Sequence, residues 1–354
     1  MNKIVYVLGA GFSIPYGIPA QKDIMKHCFE DADFLKEMKK FYKEFYLFSS
    51  KKLTKPALSK IPLEDVFSLL DRSIKSAHKY KDLTVSDFIN KENILTNKIA
   101  DYFESIEKDN TYISEFIDKL IKFRKESGKE DNQSIITLNW DNLIDKYIQN
   151  KIVDDTVGLD YCMFDYSFEE QFQENKNHVP STHLKVKGIN NIKLIKLHGS
   201  INWNICHSCH KVYINKKKIS NEFKCKSCNV NLEKFMISPT FMKEFQTNHI
   251  KNIWQNAFID LSEAKHIVFV GYSFPLADFE FKILLSRALK KESDIKITVV
   301  DYKNQDTSKS TVFKELRERY ESFFGTNVEF SDKGIVNYIE EKMDNDLKGI
   351  YNEF

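Results

Sequence analysis

KIVYVLGAGFS, residues 3–13, is the stretch on which the reading of the fold turns. Lys3 to Leu8 is a short apolar run that stops in glycines. That pattern is a buried strand, and the run is too short to be a signal peptide. Glycines directly after a strand let the backbone approach a pyrophosphate, and the N-terminus of a following helix offers free N–H donors. Gly9, Ala10, Gly11, Phe12 and Ser13, with Pro19 in the next turn, are therefore candidate nucleotide-binding residues. The spacing is G-x-G without a third glycine, so an ordinary strand-to-helix turn stays open as the simpler reading.

Moving outward, the same pattern of a short apolar strand and a polar turn recurs. SIITLNWD, residues 134–141, ends in Asn139 and Asp141, which either face a ligand crevice or cap the helix that follows. IKLIKLHGS, residues 192–200, carries His198 at a strand terminus, where an imidazole is either structural, as a lone histidine more often is, or works as a general base near neutral pH. HIVFVG, residues 266–271, leads through Gly271 and Ser273 into a helix beginning near Asp278, and KITVVD, residues 296–301, ends on Asp301. An acid there either grips a ribose hydroxyl or is a plain loop residue. Strands alternating with helices predict a doubly wound, mostly parallel Rossmann-like sheet.

Two regions interrupt it. From about residue 23 to 133 the pattern is helical. DFLKEMKKFYKEFYLF, LEDVFSLLDRSIKSA and YISEFIDKLIKFRKES space their apolar residues three and four apart. This reads as a helical module inserted between the first two sheet strands, leaving 1–22 and 134–354 as the sheet domain. The second interruption is a cysteine module within 203–235. Cys206-x2-Cys209-x15-Cys225-x2-Cys228 places two thiolate pairs at the spacing of a four-cysteine zinc ribbon. Four protein ligands leave no open position, so the zinc is expected to be structural. His207 and His210 read as bystanders, and Lys216-Lys217-Lys218 as a solvated loop. Residues 151–190 are aromatic-rich and irregular.

The 354 residues hold 53 basic and 51 acidic side chains, a net +2, which removes any global electrostatic case for nucleic acid. No stretch approaches the ~20 apolar residues of a membrane span. Six cysteines, four of them in two C-x-x-C pairs, favour metal over disulfides in a cytosolic chain. A soluble, cytoplasmic protein is expected.

The motifs share an order. G-A-G-x-S with G-I-P, then T-x-N-x-D, L-H-G-S, the paired C-x-x-C, G-x-S with proline, and a strand ending in acid resemble the sirtuin family over roughly residues 1–22 and 134–302. The resemblance implies NAD as substrate. Gly9, Ala10, Gly11 and Ser13 would hold the pyrophosphate and adjoining ribose. Asn139 and Asp141 would line the nicotinamide side, and His198 would be the base at the reacting ribose. Gly271, Ser273 and Asp301 would lie toward the adenosine, and the four cysteines would bind zinc.

Departures from the deacylase pattern are equally informative. Gly17-Ile18-Pro19 continues as Ala20-Gln21-Lys22 instead of D-F-R, Leu138 stands where a glutamine is usual, and Ile237-Ser238-Pro239-Thr240-Phe241 replaces the stretch that receives an acyl-lysine peptide. With the helical module, these look like the prokaryotic branch used in anti-phage defence, whose members degrade NAD. That resemblance implies an NAD glycohydrolase acting as a homo-oligomer, alone or with a ring-forming HerA-type ATPase. A deacylase or ADP-ribosyltransferase, and a non-catalytic NAD or ADP-ribose sensor, are the alternatives.

Overall fold

The computed structural model describes residues 3–45, 54–77, 79–106, 108, 111–126, 131–151, 157–163, 166–168, 190–214, 224–240, 247–276, 278–289, 294–302 and 307–350. The lysine triplet 216–218, Phe241 and most of the 151–190 stretch lie outside them.

The strands are β1 (Lys3–Leu8), β2 (Gln133–Thr137), β3 (Val157–Asp160), β4 (Tyr166–Phe168), β5 (Asn190–Lys196), β6 (Gly199–Ile205), β7 (Val212–Ile214), β8 (Glu233–Met236), β9 (Ala264–Val270), β10 (Lys296–Val300) and β11 (Val328–Ser331). Seven of them form one sheet in the order β11-β10-β9-β1-β2-β5-β3. Every pairing in it is parallel. β1 is the central strand, and all six of its residues are buried, as in a parallel strand covered on both faces. The expected doubly wound parallel sheet is present. β4, β7, β6 and β8 form a second, smaller sheet, in which β6 pairs antiparallel with β7 and β8. β3 and β4 give the stretch after residue 151 strand content that its irregular sequence did not announce.

The chain divides into two compact units. The first comprises 1–16, 109–236 and 245–354, and the second 17–108 and 237–244. This differs from a module spanning 23–133, chiefly in the helix Thr111–Glu126, which clusters with the sheet. The reason lies in its buried face. Tyr112 donates its hydroxyl to the Phe12 carbonyl at 2.7 Å, Gln133 Nε2 reaches the Leu120 carbonyl at 2.9 Å, and the Phe116 ring meets Tyr6 edge-on.

The second unit is helical. Leu63, Val66, Phe67 and Leu70 form one buried stripe on the helix Leu63–Ser76, at the spacing an amphipathic helix needs. The helix Val85–Ser105 buries Phe88, Leu95, Ile99 and Phe103. Its start is a capping box. Asp87 N donates to Thr84 Oγ1 at 3.3 Å and Thr84 N to Asp87 Oδ2 at 2.7 Å, satisfying two amides that the helix itself leaves unpaired. Ser238, from the segment after the cysteine module, donates to Glu92 Oε1 of this unit at 3.3 Å.

Candidate active site and metal centre

The strand order places a candidate crevice. From β1 the strand order runs through β2 and β5 to β3 on one side and through β9 and β10 to β11 on the other. A parallel sheet offers its crevice where that order reverses, at the carboxyl ends of β1 and β9. The sequence-predicted residues of the first unit all follow strand ends in this row: Asp301 after β10, Gly271 and Ser273 after β9, Gly9 to Ser13 after β1, Asn139 and Asp141 after β2, and His198 after β5. Five adjacent strands at the usual ~4.8 Å spacing make that row about 19 Å wide.

At the crossing the two glycine turns pack backbone to backbone. Gly9 N donates to the Val270 carbonyl at 3.0 Å and Gly11 N to the Gly271 carbonyl at 2.8 Å. A Cβ on Gly271 would lie 2.3 Å from the Gly11 carbonyl carbon and the Phe12 nitrogen, and Gly271 holds a φ of +59°. Here the absence of side chains serves contact between the turns themselves. After Gly9 the backbone makes one helical turn, Ala10–Ser13, that passes directly into a 3₁₀ turn. Phe12 is a core residue, its ring packed edge-on against Tyr112 and Phe116. Ala10 is exposed and Gly11 half-buried, so the turn's backbone is what it can offer a ligand. Pro19 belongs to the second unit and is half-buried there.

Beside this turn lies a hydrogen-bonded set. Ser13 Oγ is buried and donates to Asp141 Oδ2 at 2.8 Å. Asn139 Nδ2 donates to the Gly9 carbonyl at 2.9 Å and to Ser13 Oγ at 3.2 Å. Asp141 Oδ1 accepts from Leu143 N at 3.2 Å, so this acid does begin the helix Leu143–Lys151 and belongs to the site set as well. Burial raises the Asp141 carboxyl above its ordinary range, against the pull of the Lys196 ammonium and the Ser13 hydroxyl.

His198 sits in the turn between β5 and β6, nearly buried, with Nδ1 3.1 Å from the Leu138 carbonyl. A bond to a carbonyl requires the proton on Nδ1, which leaves Nε2 of the neutral ring as the basic nitrogen. Ser273 is exposed, and Arg319 Nε donates to its carbonyl at 2.9 Å. Asp301 is half-buried, with Oδ1 accepting from Tyr302 N at 2.7 Å. Burial raises its carboxyl, the Tyr302 amide and Arg319 opposing.

One group here escaped the motif reading. Lys196, the last residue of β5, is 1% exposed and donates to the Asp141 carbonyl at 2.6 Å and to Asp145 Oδ2 at 2.8 Å. Tyr161 OH completes the set by donating to Asp145 Oδ1 at 2.5 Å. The signal was present in IKLIKL, since a lysine inside an otherwise apolar buried strand must find a counter-charge.

The cysteines converge. The four sulfurs of Cys206, Cys209, Cys225 and Cys228 lie within 4.8 Å of one another, and Cys209 and Cys225 are 3.6 Å apart. Four thiolates on a tetrahedral zinc stand ~3.8 Å from each other, so these four could hold such an ion. The two knuckles are alike. His210 and Asn229, each following the second cysteine of its pair, take positive φ values of 61° and 56°. Their amides donate back to the carbonyls of Cys206 and Cys225 at 2.7 and 2.8 Å. Tyr213 OH lies 3.2 Å from Cys225 Sγ, a second layer around the sulfurs. His207 pairs with Glu233 at 3.0 Å on the surface.

Among the described residues no helix is long and apolar enough to cross a membrane. A family model described as a SIR2-like domain matches residues 133–322, more than half of the chain. No curated protein matches the sequence. Solved structures that resemble it include a Sir2 homologue in complex with NAD, 12% identical, covering 98% of this chain and 90% of that one at a TM-score of 0.48. Another is a sirtuin studied for its substrate affinity, 14% identical, covering 97% and 93% at 0.46. At those scores the assignment rests on the domain match, which runs from β2 through the cysteine knuckles to the helix Thr307–Phe324. On that match the chain belongs to the SIR2-like family.

Proposed function

We propose that this chain is an NAD glycohydrolase, releasing nicotinamide and ADP-ribose. The observation that carries the reading is the row of predicted residues along one sheet edge, with Asn139 pinned beside the β1 turn and His198 held against the neighbouring Leu138 carbonyl. The dinucleotide would lie along that edge, adenosine toward Asp301, Gly271 and Ser273, pyrophosphate over Gly9 to Ser13, nicotinamide toward Asn139 and Asp141. The bond between the ribose C1′ and the nicotinamide nitrogen breaks with its electron pair leaving on nicotinamide. Water adds to C1′ and its proton passes to His198 Nε2. Asn139 orients the water, Ser13 and Asp141 orient Asn139, and positioning of this kind supplies most of the acceleration. The departures at Gln21, Leu138 and Ile237–Thr240 favour water over an acyl-lysine acceptor. Zinc in the four-cysteine site would be structural, and metal analysis finding no zinc in purified protein would sink that part.

An uncontrolled hydrolase of this type would exhaust its own cell, so a trigger is part of the reading: self-association or a ring-forming ATPase partner, in a bacterial anti-phage role. The test is nicotinamide release from NAD by the full chain, alone and with its genomic neighbour, beside Asn139→Ala and His198→Ala. Free ADP-ribose formed without any peptide, lost by at least a hundredfold in both variants, is the expected result. NAD binding without release under any of these conditions would overturn it in favour of a sensor, and release dependent on an acylated peptide would restore the deacylase.

A further inference from the structure

The loop from Leu138 to Asp141 carries the proposed water-orienting residue, yet it has no regular secondary structure. What holds it is a series of donors from the segment directly across the sheet edge. The Leu138 carbonyl faces His198 Nδ1. The Trp140 carbonyl accepts from Ile201 N at 3.0 Å and from Ser200 Oγ at 3.2 Å. The Asp141 carbonyl accepts from Lys196 Nζ. The carbonyls of Leu138, Trp140 and Asp141 are thus tied to residues 196–201, and Lys196 is the only charged donor among these ties. A charged donor in a dry interior makes the strongest bond of such a series.

Lys196 is also placed to be rigid. It pairs in register with Thr137, the last residue of β2 before the loop. Its ammonium divides between the Asp141 carbonyl and Asp145, and both side chains of that ion pair are 1% exposed. Asp145 lies in the helix that Asp141 begins, and Tyr161 locks its second oxygen. An ion pair this deep is weak support for stability by itself, because desolvation offsets most of the attraction. Its clear consequence is geometric. The ammonium holds the Asp141 carbonyl, while Ser13 donates to that acid's carboxylate and Asn139 in turn donates to Ser13.

We infer that Lys196, backed by Asp145, is a positioning residue that sets the Asn139–Asp141 loop for catalysis, an inference resting on the hydrolase reading above. It touches no substrate and acts through the Asp141 carbonyl.

The experiment separates this role from a merely structural one. Lys196→Met alone strands the Asp145 carboxylate and is expected to lower the melting temperature. The double variant Lys196→Met/Asp145→Asn removes the stranded charge and keeps an acceptor for Tyr161, so stability should return. Positioning predicts that kcat for nicotinamide release in the double variant stays down roughly ten- to hundredfold with KM changed less than threefold. It also predicts amide hydrogen exchange over residues 138–143 at least tenfold faster, with the rest of the sheet unchanged. Recovery of kcat together with the melting temperature, or unchanged exchange in the loop, would overturn the inference. Should the unmodified chain release no nicotinamide, the hydrolase reading fails alone, and the exchange measurement still decides the role of Lys196.

Discussion

Strand β5 carries two lysines toward the two ends of the same sheet, and their surroundings differ. At the amino end, Lys193 joins Lys3, Asp131, Asp260 and Glu263 in a shared network. Lys3 lies 2.6 Å from Asp260, 2.8 Å from Glu263 and 3.1 Å from Asp131, while Lys193 reaches both aspartates as well. Burial works against the Lys3 ammonium, but the nearby carboxylates prevail and hold its pKa above the ordinary value. Burial likewise pushes the Asp131 carboxyl up, and the two lysines bring it below its usual range. At the carboxyl end, Lys196 has one carboxylate partner, Asp145, and one carbonyl. The amino end distributes its charges so that no single loss strands a buried partner. The carboxyl end has no such reserve, and it is the end where the proposed chemistry lies. Redundant charge suits a scaffold, whereas a single fully engaged pair suits a site that must hold one geometry.

Substitutions can break that contrast. The largest effect is expected from Lys196→Met. It leaves Asp145 buried without its cation and should cost about 3–5 kcal/mol in denaturant unfolding. A cost below about 1 kcal/mol would show that the carboxyl end is as well buffered as the other.

Next is a pH effect at the amino end. His266, the third residue of β9, is buried, with Nε2 2.9 Å from Thr298 Oγ1 and with Asp346, Lys296 and Glu329 around it. Burial lowers its pKa from 6.5 to about 4, with Asp346 and Glu329 opposing and Lys296 adding to the fall. The unfolded chain therefore binds this proton more readily. The contribution to stability is full above about pH 6.5, declines as pH falls toward 4, and is level below that. Its span is up to about 3 kcal/mol. Unfolding measured from pH 7.5 to 4 should show the decline in the native chain and a flatter curve in His266→Gln; equal slopes would remove His266 as its source.

The smallest effect is expected from Lys3→Met. Asp260 keeps Lys193 at 3.1 Å, so the loss should be about 1–2 kcal/mol in the same unfolding assay. A loss equal to that of Lys196→Met would abolish the proposed difference between the two ends.

Much of the sheet was legible because its signals are local. β1, β9 and β10 are short apolar runs ending in glycine or acid, and they appear where those runs occur. The helix Asn248–Glu263, which buries Ile250, Ile253, Ala257 and Leu261, was not read from the sequence. Of the site, the strand-end residues could be named, but their partners could not. Ser13 and Asp141 are 128 positions apart, and Lys196 and Asp145 are 51 apart.

The sequence by itself determined the parallel α/β class, the strand termini that carry the polar residues, and a cysteine spacing able to gather four sulfurs. These follow from periodicity and spacing between chain neighbours, which the backbone converts directly into geometry. Tertiary structure alone decided that Gly9, Gly11 and Gly271 are needed for one another, that the helix Thr111–Glu126 belongs with the sheet, and that a lysine of β5 lies under the Asn139–Asp141 loop. Each depends on which strands become neighbours, and strand order arises from packing across the whole sheet, which no local stretch of chain records.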